Sequence, residues 1–395
     1  SGGIPSVPAG FRGSVVITSD QPLAVNANTE TTGNPVRVGT VRGVDAPDTT
    51  LRFPQVQKAY SDSNWDSFVV IQNTTGTSAS ATIRYYHPTG GEVAWAAQTQ
   101  QSIPAYSSWI VHQSQNANLP SDWVGSAVVT SSQPLAGVAA LYEGMSGAST
   151  VDFAHYGAQT VAATTVHVPK LVREHYGYSS GLTIQNAGTS ATNVTIQYRF
   201  ATYTFYQTLT GLQPGASRAL FLPDVGELDA LDGWDEYWRS GTAVVTASQP
   251  VVAIANESYH GADARFQGRS VSYGAFAAGS GSTAIGFSQV TSRFYGYSGG
   301  VQVQNVGGAT TTVTAVFSAP GFDDVTRQAT VAPGAKAQWF LPSDLNLTDW
   351  NGSVRVTASQ PLVGIANNAF RADWDDHLPI IYGDSFSCYE STDAN

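Results

Sequence analysis

The chain has few charged side chains and almost no sulfur. Charged residues make up 12% of its 395 residues, and it contains one cysteine and one methionine. An average soluble domain is about a quarter charged, so neutral polar groups must keep this surface soluble. The single Cys388 excludes a disulfide within the chain, so the fold must rely on packing, and only an intermolecular bridge is left open to it.

Lysine is scarce as well, with only Lys58, Lys170 and Lys336 present. There are 18 basic and 29 acidic residues, and the formal net charge is -11. A phosphate-binding face needs clustered positive charge, so nucleic acid is excluded as a partner. No run approaches the roughly 18 apolar residues of a membrane span, and no signal peptide follows Ser1. We expect an extracellular or cell-surface protein whose targeting segment has been removed.

The common catalytic motifs are missing or stand in the wrong context. There is no His-Glu-x-x-His, Cys-x-x-Cys or P-loop pattern, so we expect no cofactor. Two segments match the Gly-x-Ser-x-Gly elbow, with Ser179 and Ser298 at their centres. An elbow requires a strand that turns into a helix, whereas these serines precede a repeated β-strand. The chain is therefore predicted not to be an enzyme.

Calcium is the one metal that two acidic clusters could suit, because they carry the hard oxygen ligands that calcium takes. Neither cluster completes an EF-hand loop, and solvated acidic turns are the favoured interpretation. The candidate ligands are Asp62, Asn64, Asp66, Asp373, Asp375 and Asp376.

What the chain does contain is a long internal repeat. Its first block ends in Gln-Pro-Leu or Gln-Pro-Val, and successive prolines of this block are 112, 116 and 111 residues apart. This spacing suits one β-sandwich of about 100 residues and is too long for a solenoid repeat. Each repeat is therefore predicted to be a domain. The four copies of the block are residues 14–23, 126–135, 242–251 and 353–362.

A second block ends in Gln-Asn, at Asn73, Asn186 and Asn305. The strands that follow alternate apolar and polar side chains, which places one face on a core. We predict about seven strands in each unit, with the last two joined as a hairpin at the motif proline. Residues 226–239 could form one or two helical turns. A final short strand or linker is expected at Tyr156-Gly157, Tyr273-Gly274 and Tyr382-Gly383.

One aromatic residue stands just before the Gln-Pro block in every copy, and a large ring at a repeated position predicts a core anchor. These residues are Phe11, Trp123, Trp238 and Trp350. Aromatic residues that do not repeat are candidates for exposure and for stacking on sugars: Trp65, Trp95, Tyr203, Phe205, Tyr206 and Trp374.

The two blocks are unequal in number, because the Gln-Pro block occurs four times and the Gln-Asn block three times. A lone N-terminal hairpin would leave Val15, Ile17, Leu23 and Val25 exposed unless another sheet received them. Three interpretations stay open: the segment completes the first sandwich, it is donated to a neighbouring subunit, or it only marks a boundary. Donation would be heterologous and would propagate into a fibre unless it closed a ring.

Five asparagines fit the glycosylation sequon, a pattern that also arises by chance in a chain rich in Ser and Thr. They are Asn73, Asn193, Asn256, Asn346 and Asn351.

The Gln-Asn strand, the Gly-Thr-Ser turn, the alternating strand and the Ser-Gln-Pro-Leu block together resemble the tandem sandwich repeats of bacterial cell-surface and filament proteins, notably those of filamentous Chloroflexi-type bacteria. The resemblance implies an exported, glycosylated structural component without active-site residues. We expect an all-β fold of three tandem immunoglobulin-like sandwiches of about 115 residues. The expected segments are an N-terminal hairpin at 1–48, sandwiches at 49–160, 161–278 and 279–383, and a C-terminal tail at 384–395.

The expected function is that of an extracellular structural subunit. It would join copies of itself head to tail into a filament, sheath or surface layer, by strand exchange or end-to-end contacts. The alternative is a monomeric adhesin or carbohydrate-binding protein, with glycans as partners.

Overall fold

A computed structural model describes residues 13–21, 23–30, 38–143, 152–263, 266–370 and 386–394. The fold is all-β and consists of tandem β-sandwiches, which confirms the predicted class. Three sheets of seven, eight and eight strands define three complete units, and a separate strand pair precedes them.

Each unit is built from short strands around one long strand. Unit 1 contains Asp48–Lys58, Trp65–Asn73, Ala79–Tyr86, Gln98–Ile103, Ser108–His112, Trp123–Glu143 and Phe153–Gly157. Unit 2 contains Ala163–Val172, Tyr178–Asn186, Thr192–Phe200, Tyr203–Leu212, Ser217–Phe221, Ser240–Tyr259, Ser270–Gly274 and Phe276–Ala277. Unit 3 contains Ser282–Ser292, Tyr297–Asn305, Thr311–Ser318, Val325–Val331, Lys336–Phe340, Trp350–Phe370, Phe386–Glu390 and Thr392–Asp393.

Helical structure in the described residues is limited to short turns. The α-helix is Leu341–Asp344, and the 3₁₀ turns are Ala94–Ala96, Gln113–Gln115, Leu222–Asp224, Gly226–Gly233 and Glu236–Trp238. The helical turns expected within residues 226–239 are therefore present. The buried guanidinium of Arg173 holds this region by donating to Asp232 Oδ1 at 3.0 Å and to the carbonyl of Val225 at 2.8 Å.

The predicted hairpin at the motif proline is wrong. In each unit the whole segment is one long strand, such as Trp123–Glu143. Its first half pairs with Asp48–Lys58 and Ala79–Tyr86, and its second half pairs with Trp65–Asn73. The strand thus passes from one layer of the sandwich to the other near Pro134. A proline's fixed φ is compatible with an extended edge strand, so Gln-Pro does not require a reversal of the chain.

Alternation along the strands places the core between the two layers. Ala79–Tyr86 buries every second residue, and the same pattern occurs in Thr192–Phe200. Each unit is centred on one cluster of buried apolar side chains, and the clusters of units 1 and 2 also take in residues of the following unit: Ile254 in the first, Ile365 and Cys388 in the second. This result follows from the two-residue period of a strand that has one face on a core.

A short closing strand pairs with the second half of each long strand. Tyr156 and Tyr273 occupy the same position in their closing strands, and each donates its hydroxyl to a backbone carbonyl, of Gln55 and Lys170 respectively. Tyr382-Gly383, predicted as the third such pair, lies outside the described residues. In unit 3 the matching register position belongs to Tyr389, which pairs with Ala366 as Tyr156 pairs with Ala139.

Of the tail expected at 384–395, the described residues 386–394 belong to unit 3, which corrects the expected boundary. Phe386–Glu390 pairs with the long strand of unit 3, and Thr392–Asp393 pairs with its first strand.

The N-terminal segment also differs from the prediction. Residues 13–21 and 23–25 form no strand, and the strands lie further on, at Asn26–Glu30 and Val38–Arg42. These two strands pair antiparallel, with Asn26 opposite Arg42. Asn26 and Arg42 correspond in the repeat to Val138 and Gly157, which lie opposite each other in unit 1. The two N-terminal strands therefore correspond to the second half of a long strand and to its closing strand.

The units are not arranged in a row, as tandem sandwiches joined by short linkers would be. The closing strands contact one another in a closed order. Val38–Arg42 contacts Phe153–Gly157, and Phe153–Gly157 contacts Ser270–Gly274. Ser270–Gly274 contacts Phe386–Glu390, and Phe386–Glu390 contacts Val38–Arg42. We call these four equivalent strands the four-strand cycle. Such closure is the arrangement that a four-fold repeat produces when each copy contacts the next through the same surface.

One predicted core anchor is wrong. Trp123 and Trp350 are buried beside Gly125 and Gly352, but Trp238 is 52% exposed. Trp238 stands one residue further from its glycine than the other two tryptophans do, and a shift of one residue moves a side chain to the opposite face. In unit 2 the ring beside the glycine is supplied by Phe200. Phe11 lies outside the described residues.

Candidate functional site

The serines of the two elbow-like motifs have structural contacts. Ser179 and Ser298 are buried, and their hydroxyl oxygens accept from the backbone N–H of Glu174 at 3.1 Å and of Arg293 at 3.0 Å. In unit 1 a carboxylate of Asp66 accepts from Ala59 N at 3.2 Å in the same place. Each side chain fastens a tight turn at the start of the Gln-Asn strand, which explains why the motif repeats.

The calcium candidates are only partly within the described chain. Asp62 and Asn64 lie exposed in the turn before Trp65. Within the described residues, no group of three or more His, Cys, Asp or Glu side chains is arranged to hold a metal ion. The second group, Asp373, Asp375 and Asp376, lies outside them. The interpretation favoured from the sequence, solvated acidic turns instead of calcium sites, stays a prediction.

The sequon asparagines fall into two groups. Asn193 and Asn346 are exposed, and Asn351 is half-buried. Asn73 is fully buried, with its amide nitrogen donating to the Thr77 carbonyl at 2.7 Å. The amide nitrogen of Asn256 donates to Gln55 at 2.8 Å across the boundary between units 1 and 2. In the folded chain, attachment of a glycan to either of these two amides would require the loss of these bonds.

A hydroxyl-to-carbonyl contact recurs between successive repeats. Ser126 Oγ of unit 1 donates to the Gly215 carbonyl of unit 2 at 2.5 Å, and Thr242 Oγ1 of unit 2 donates to the Gly334 carbonyl of unit 3 at 2.7 Å. Ser14 of the N-terminal segment donates in the same way to the Tyr106 carbonyl of unit 1 at 3.0 Å. The acceptors all lie at the left-handed position of one turn, with φ values of 56° to 76°.

A second polar contact recurs between neighbouring repeats. Gln55 Oε1 accepts from Asn256 Nδ2 at 2.8 Å between units 1 and 2. The Asn367 amide, oriented to satisfy both of its neighbours, accepts from Lys170 Nζ at 3.1 Å between units 2 and 3. Asn28 Nδ2 of the N-terminal pair donates to Gln289 of unit 3 at 3.4 Å. The N-terminal segment thus contacts both unit 1 and unit 3.

The residues that make these contacts recur at fixed positions in the sequence. A hydroxyl residue opens every copy of the Gln-Pro block, and asparagine recurs six residues after the motif proline at Asn28, Asn256 and Asn367. Polar residues that repeat at a fixed position in a domain array indicate contacts between neighbouring domains as well as contacts within one domain.

The boundary between units 2 and 3 also carries buried charge. Lys170 and Glu257 form an ion pair at 2.8 Å, with 13% and 7% of their side chains exposed. Lys336 of unit 3 donates to Ser240 Oγ at 2.5 Å. Burial, and then the positive charge of Lys170, lowers the pKa of Lys336 well below its usual range. Such a boundary is sensitive to the loss of either partner, because an unpaired buried charge is strongly destabilising.

The axis of the four-strand cycle is lined by a residue at one equivalent position in each strand. These are Thr40, His155, Ser272 and Cys388. Burial lowers the pKa of His155 to about 4, so its ring is neutral in the folded chain. Cys388 is 3% exposed, which places its thiol inside the molecule rather than on a surface available to another chain.

A cleft of about 200 Å³ opens at the boundary between units 2 and 3. Tyr237 and Trp238 line it, with ring centroids 4.9 Å apart and planes nearly perpendicular. Arg199 and Lys336 supply polar groups to the same cleft. Of the rings predicted to be exposed, Trp95, Tyr203 and Tyr206 are at least 60% exposed. Trp65 and Phe205 are half-buried, and Trp374 lies outside the described residues.

The N-terminal apolar residues are exposed as the sequence indicated. Val15, Ile17 and Leu23 are 63%, 55% and 55% exposed, while Val25 is half-buried and its carbonyl accepts from Gly43 N at 2.7 Å. Their role in assembly stays a hypothesis. No helix in the described part of the chain has the length and apolar character needed to cross a bilayer.

Comparison with known proteins gives no family. No family model matches this chain, and no curated protein matches it. Among solved structures, the chain is similar to the pilus backbone RrgB of Streptococcus pneumoniae, with 9% identity over 65% of this chain and 80% of that chain and a TM-score of 0.12. It is also similar to a tetra-tandem repeat from the extending region of a large adhesion protein, with 11% identity, coverage of 94% and 81%, and a TM-score of 0.13. Scores this low carry no argument about fold or function.

The recurring turn offers a matched pair of substitutions at the boundaries. Gly215 and Gly334 have φ values of 76° and 74°, but a Cβ on Gly215 would overlap the Tyr86 ring of unit 1, while nothing lies within 4 Å of a Cβ on Gly334. Both Gly→Ala changes should destabilise by about 1 kcal/mol because of the left-handed backbone. Gly215→Ala should add about 1 to 3 kcal/mol through overpacking. Chemical denaturation of the two variants checks this, and equal losses would contradict the contact between units 1 and 2.

Proposed function

We propose that this chain is an extracellular structural subunit, a non-catalytic building block of a bacterial surface layer, sheath or filament. The observation that carries the proposal is the recurrence of one contact at three successive boundaries, through Ser14, Ser126 and Thr242. Repeats joined in this way are held in one orientation instead of being connected by loose linkers. Rigid joining of domains is what a load-bearing or lattice-forming subunit requires.

The polar groups at the boundaries support the same proposal. Gln55 and Lys170 occupy equivalent positions, and both contact the next unit. The elbow-like serines bind backbone N–H groups, so their hydroxyl oxygens serve local structure. With only 12% of its residues charged, the chain can pack against copies of itself while burying few charges, whose removal from water is costly.

Electron microscopy and sedimentation of the purified chain test the proposal over a range of protein concentrations. We expect ordered filaments or sheets whose repeat distance is set by the four-strand cycle and the units around it. Single 41.6 kDa particles at every concentration, with no ordered assembly, would count against a self-assembling subunit.

The second candidate is a carbohydrate-binding adhesin, and the cleft beside Tyr237 and Trp238 favours it. Exposed aromatic rings next to a few polar groups are typical of sites that recognise small molecules, and such rings can stack on sugars. A glycan array with the parent chain tests this directly. If the cleft binds sugar, Trp238→Ala should abolish binding, while Trp95→Ala, which removes a ring that is 66% exposed elsewhere on the chain, should retain it.

A further inference from the structure

The N-terminal strand pair occupies the place of a fourth repeat in the four-strand cycle. Its two strands have the register of the second half of a long strand and its closing strand. In unit 1 the long strand also pairs with Asp48–Lys58, Trp65–Asn73 and Ala79–Tyr86, which build the two layers between which its apolar side chains are buried. Within the described residues, the N-terminal segment has no counterpart of these strands. The fourth position is therefore a partial sandwich.

The apolar residues at this position are the ones that the other units bury. Val15, Ile17 and Leu23 correspond in the Gln-Pro block to Ala127, Val129 and Leu135. The three residues of unit 1 are completely buried, whereas the three N-terminal residues are each more than half exposed. What covers these positions in unit 1 is the set of five short strands that precedes the long strand.

In the part of the chain that the structure describes, unit 3 lacks one of the recurring contacts on the side that faces the partial fourth repeat. The first residue of the Gln-Pro block is buried in units 1 and 2, where Ser126 and Thr242 donate to the turn of the following unit. The corresponding Ser353 of unit 3 is exposed. In the order of the cycle, the repeat that follows unit 3 is the partial fourth one. The turn that would accept from Ser353 belongs to the five-strand set for which the fourth position has no described counterpart.

We propose that the fourth position is completed by five β-strands of this same repeat type, equivalent to residues 48–112 of unit 1 and supplied by polypeptide outside the three complete units. These strands would cover Val15, Ile17 and Leu23, and the carbonyl of their turn would accept from Ser353. The proposal names a partner for the structural subunit described above. It rests on the contacts of the four-strand cycle and does not depend on polymer formation.

The occupant is a partial repeat and not an intact second copy. Every long strand of units 1 to 3 is already paired on both of its halves with strands of its own unit. A second copy could fill the gap only by unpairing one of its own sandwiches, which would expose a complete core. A repeat segment without its own long strand lacks the part that the N-terminal segment supplies. Its apolar face has no partner until it meets residues 14–25.

An extended chain tests the proposal. A second copy of residues 45–112 is placed directly before Ser1. Its last residue is then separated from Phe11 by the same number of residues as His112 is from Trp123. Hydrogen exchange of residues 14–18 is then measured at a concentration where the protein is monomeric. We expect their amides to exchange at least about 100-fold more slowly than in the parent chain, at a rate close to that of the equivalent amides 126–130, because they enter a closed core.

The Ile17→Asp substitution provides the matched variant. In the parent chain it should leave the melting temperature unchanged, because Ile17 is exposed, whereas in the extended chain it should abolish the new protection. Exchange at residues 14–18 that stays as fast in the extended chain as in the parent would overturn the proposal. Protection in the parent chain that grows with concentration would also overturn it, because the occupant would then be a second copy. Exchange in the extended chain is measured on the monomer, so this readout can fail independently of filament formation.

Discussion

The Trp350→Ala substitution should destabilise unit 3 by about 3 to 5 kcal/mol, the range typical of removing a large aromatic side chain from a core. The Trp350 ring is completely buried, lies against Gly352 and belongs to the apolar cluster of unit 3. Its removal leaves a cavity beside a glycine that cannot fill it. Chemical denaturation followed by hydrogen exchange in the strands of unit 3 measures the effect.

Trp238→Ala is the control for this prediction, because it removes the same side chain from the corresponding region of unit 2. That ring is half exposed and lines the cleft, so the change in the free energy of unfolding should stay within about 0.5 kcal/mol. Equal losses for the two variants would contradict the one-residue shift that separates them. A large loss for Phe200→Ala, with its ring beside Gly241, would support the shift from the opposite direction.

Acid should destabilise the parent chain more than the His155→Gln variant. Burial lowers the pKa of His155 from 6.5 to about 4 in the folded chain. Between these two values the unfolded chain binds a proton that the folded chain does not, so the stability from this group is lost as the pH falls from about 6.5 to 4. The contribution is on the order of 3 kcal/mol. The uncharged glutamine side chain of the variant should remove this part of the pH dependence.

The measurement is the difference between the two unfolding free energies at several pH values, which cancels the contributions of other titrating groups. The groups that face His155 are Thr40, Ser272, Cys388 and the Phe153 ring, whose centroid lies 4.5 Å away. His87→Gln, a change in the half-buried region after Ala79–Tyr86, is the control. A constant difference between parent and His155→Gln across this pH range would show that the axis of the four-strand cycle is open to water.

The two predictions concern different levels of the molecule. Trp350 reports on packing inside one sandwich, whereas His155 reports on the contact of four closing strands from different repeats. A chain in which sandwiches fold but the cycle does not form would show the first effect and lose the second. The pair therefore separates the fold of each repeat from the arrangement of the repeats.

The sequence by itself determined the all-β class, the length of the repeat and most strands of each unit. It did so because alternation has a period of two in any strand that rests on a core, and this period is visible without knowledge of the partner strand. The prediction failed at the motif proline, because Gln-Pro is compatible both with a turn and with an extended strand that changes layers. It failed at Trp238, where one extra residue between the tryptophan and the glycine moves the ring to the other face.

Only the tertiary structure decided how the repeats meet. Four closing strands form a cycle in which neighbouring repeats meet through recurring hydroxyl and amide contacts, and such contacts join residues far apart in sequence, such as Ser14 and Tyr106. Local patterns carry the preferences of a residue for strand or turn and for core or surface, but the choice of a distant partner depends on complementary surfaces that exist only after each sandwich has folded. The exposed face of Val15 and Ile17 could be read from sequence, whereas the place of that face as the partial fourth member of a cycle could not.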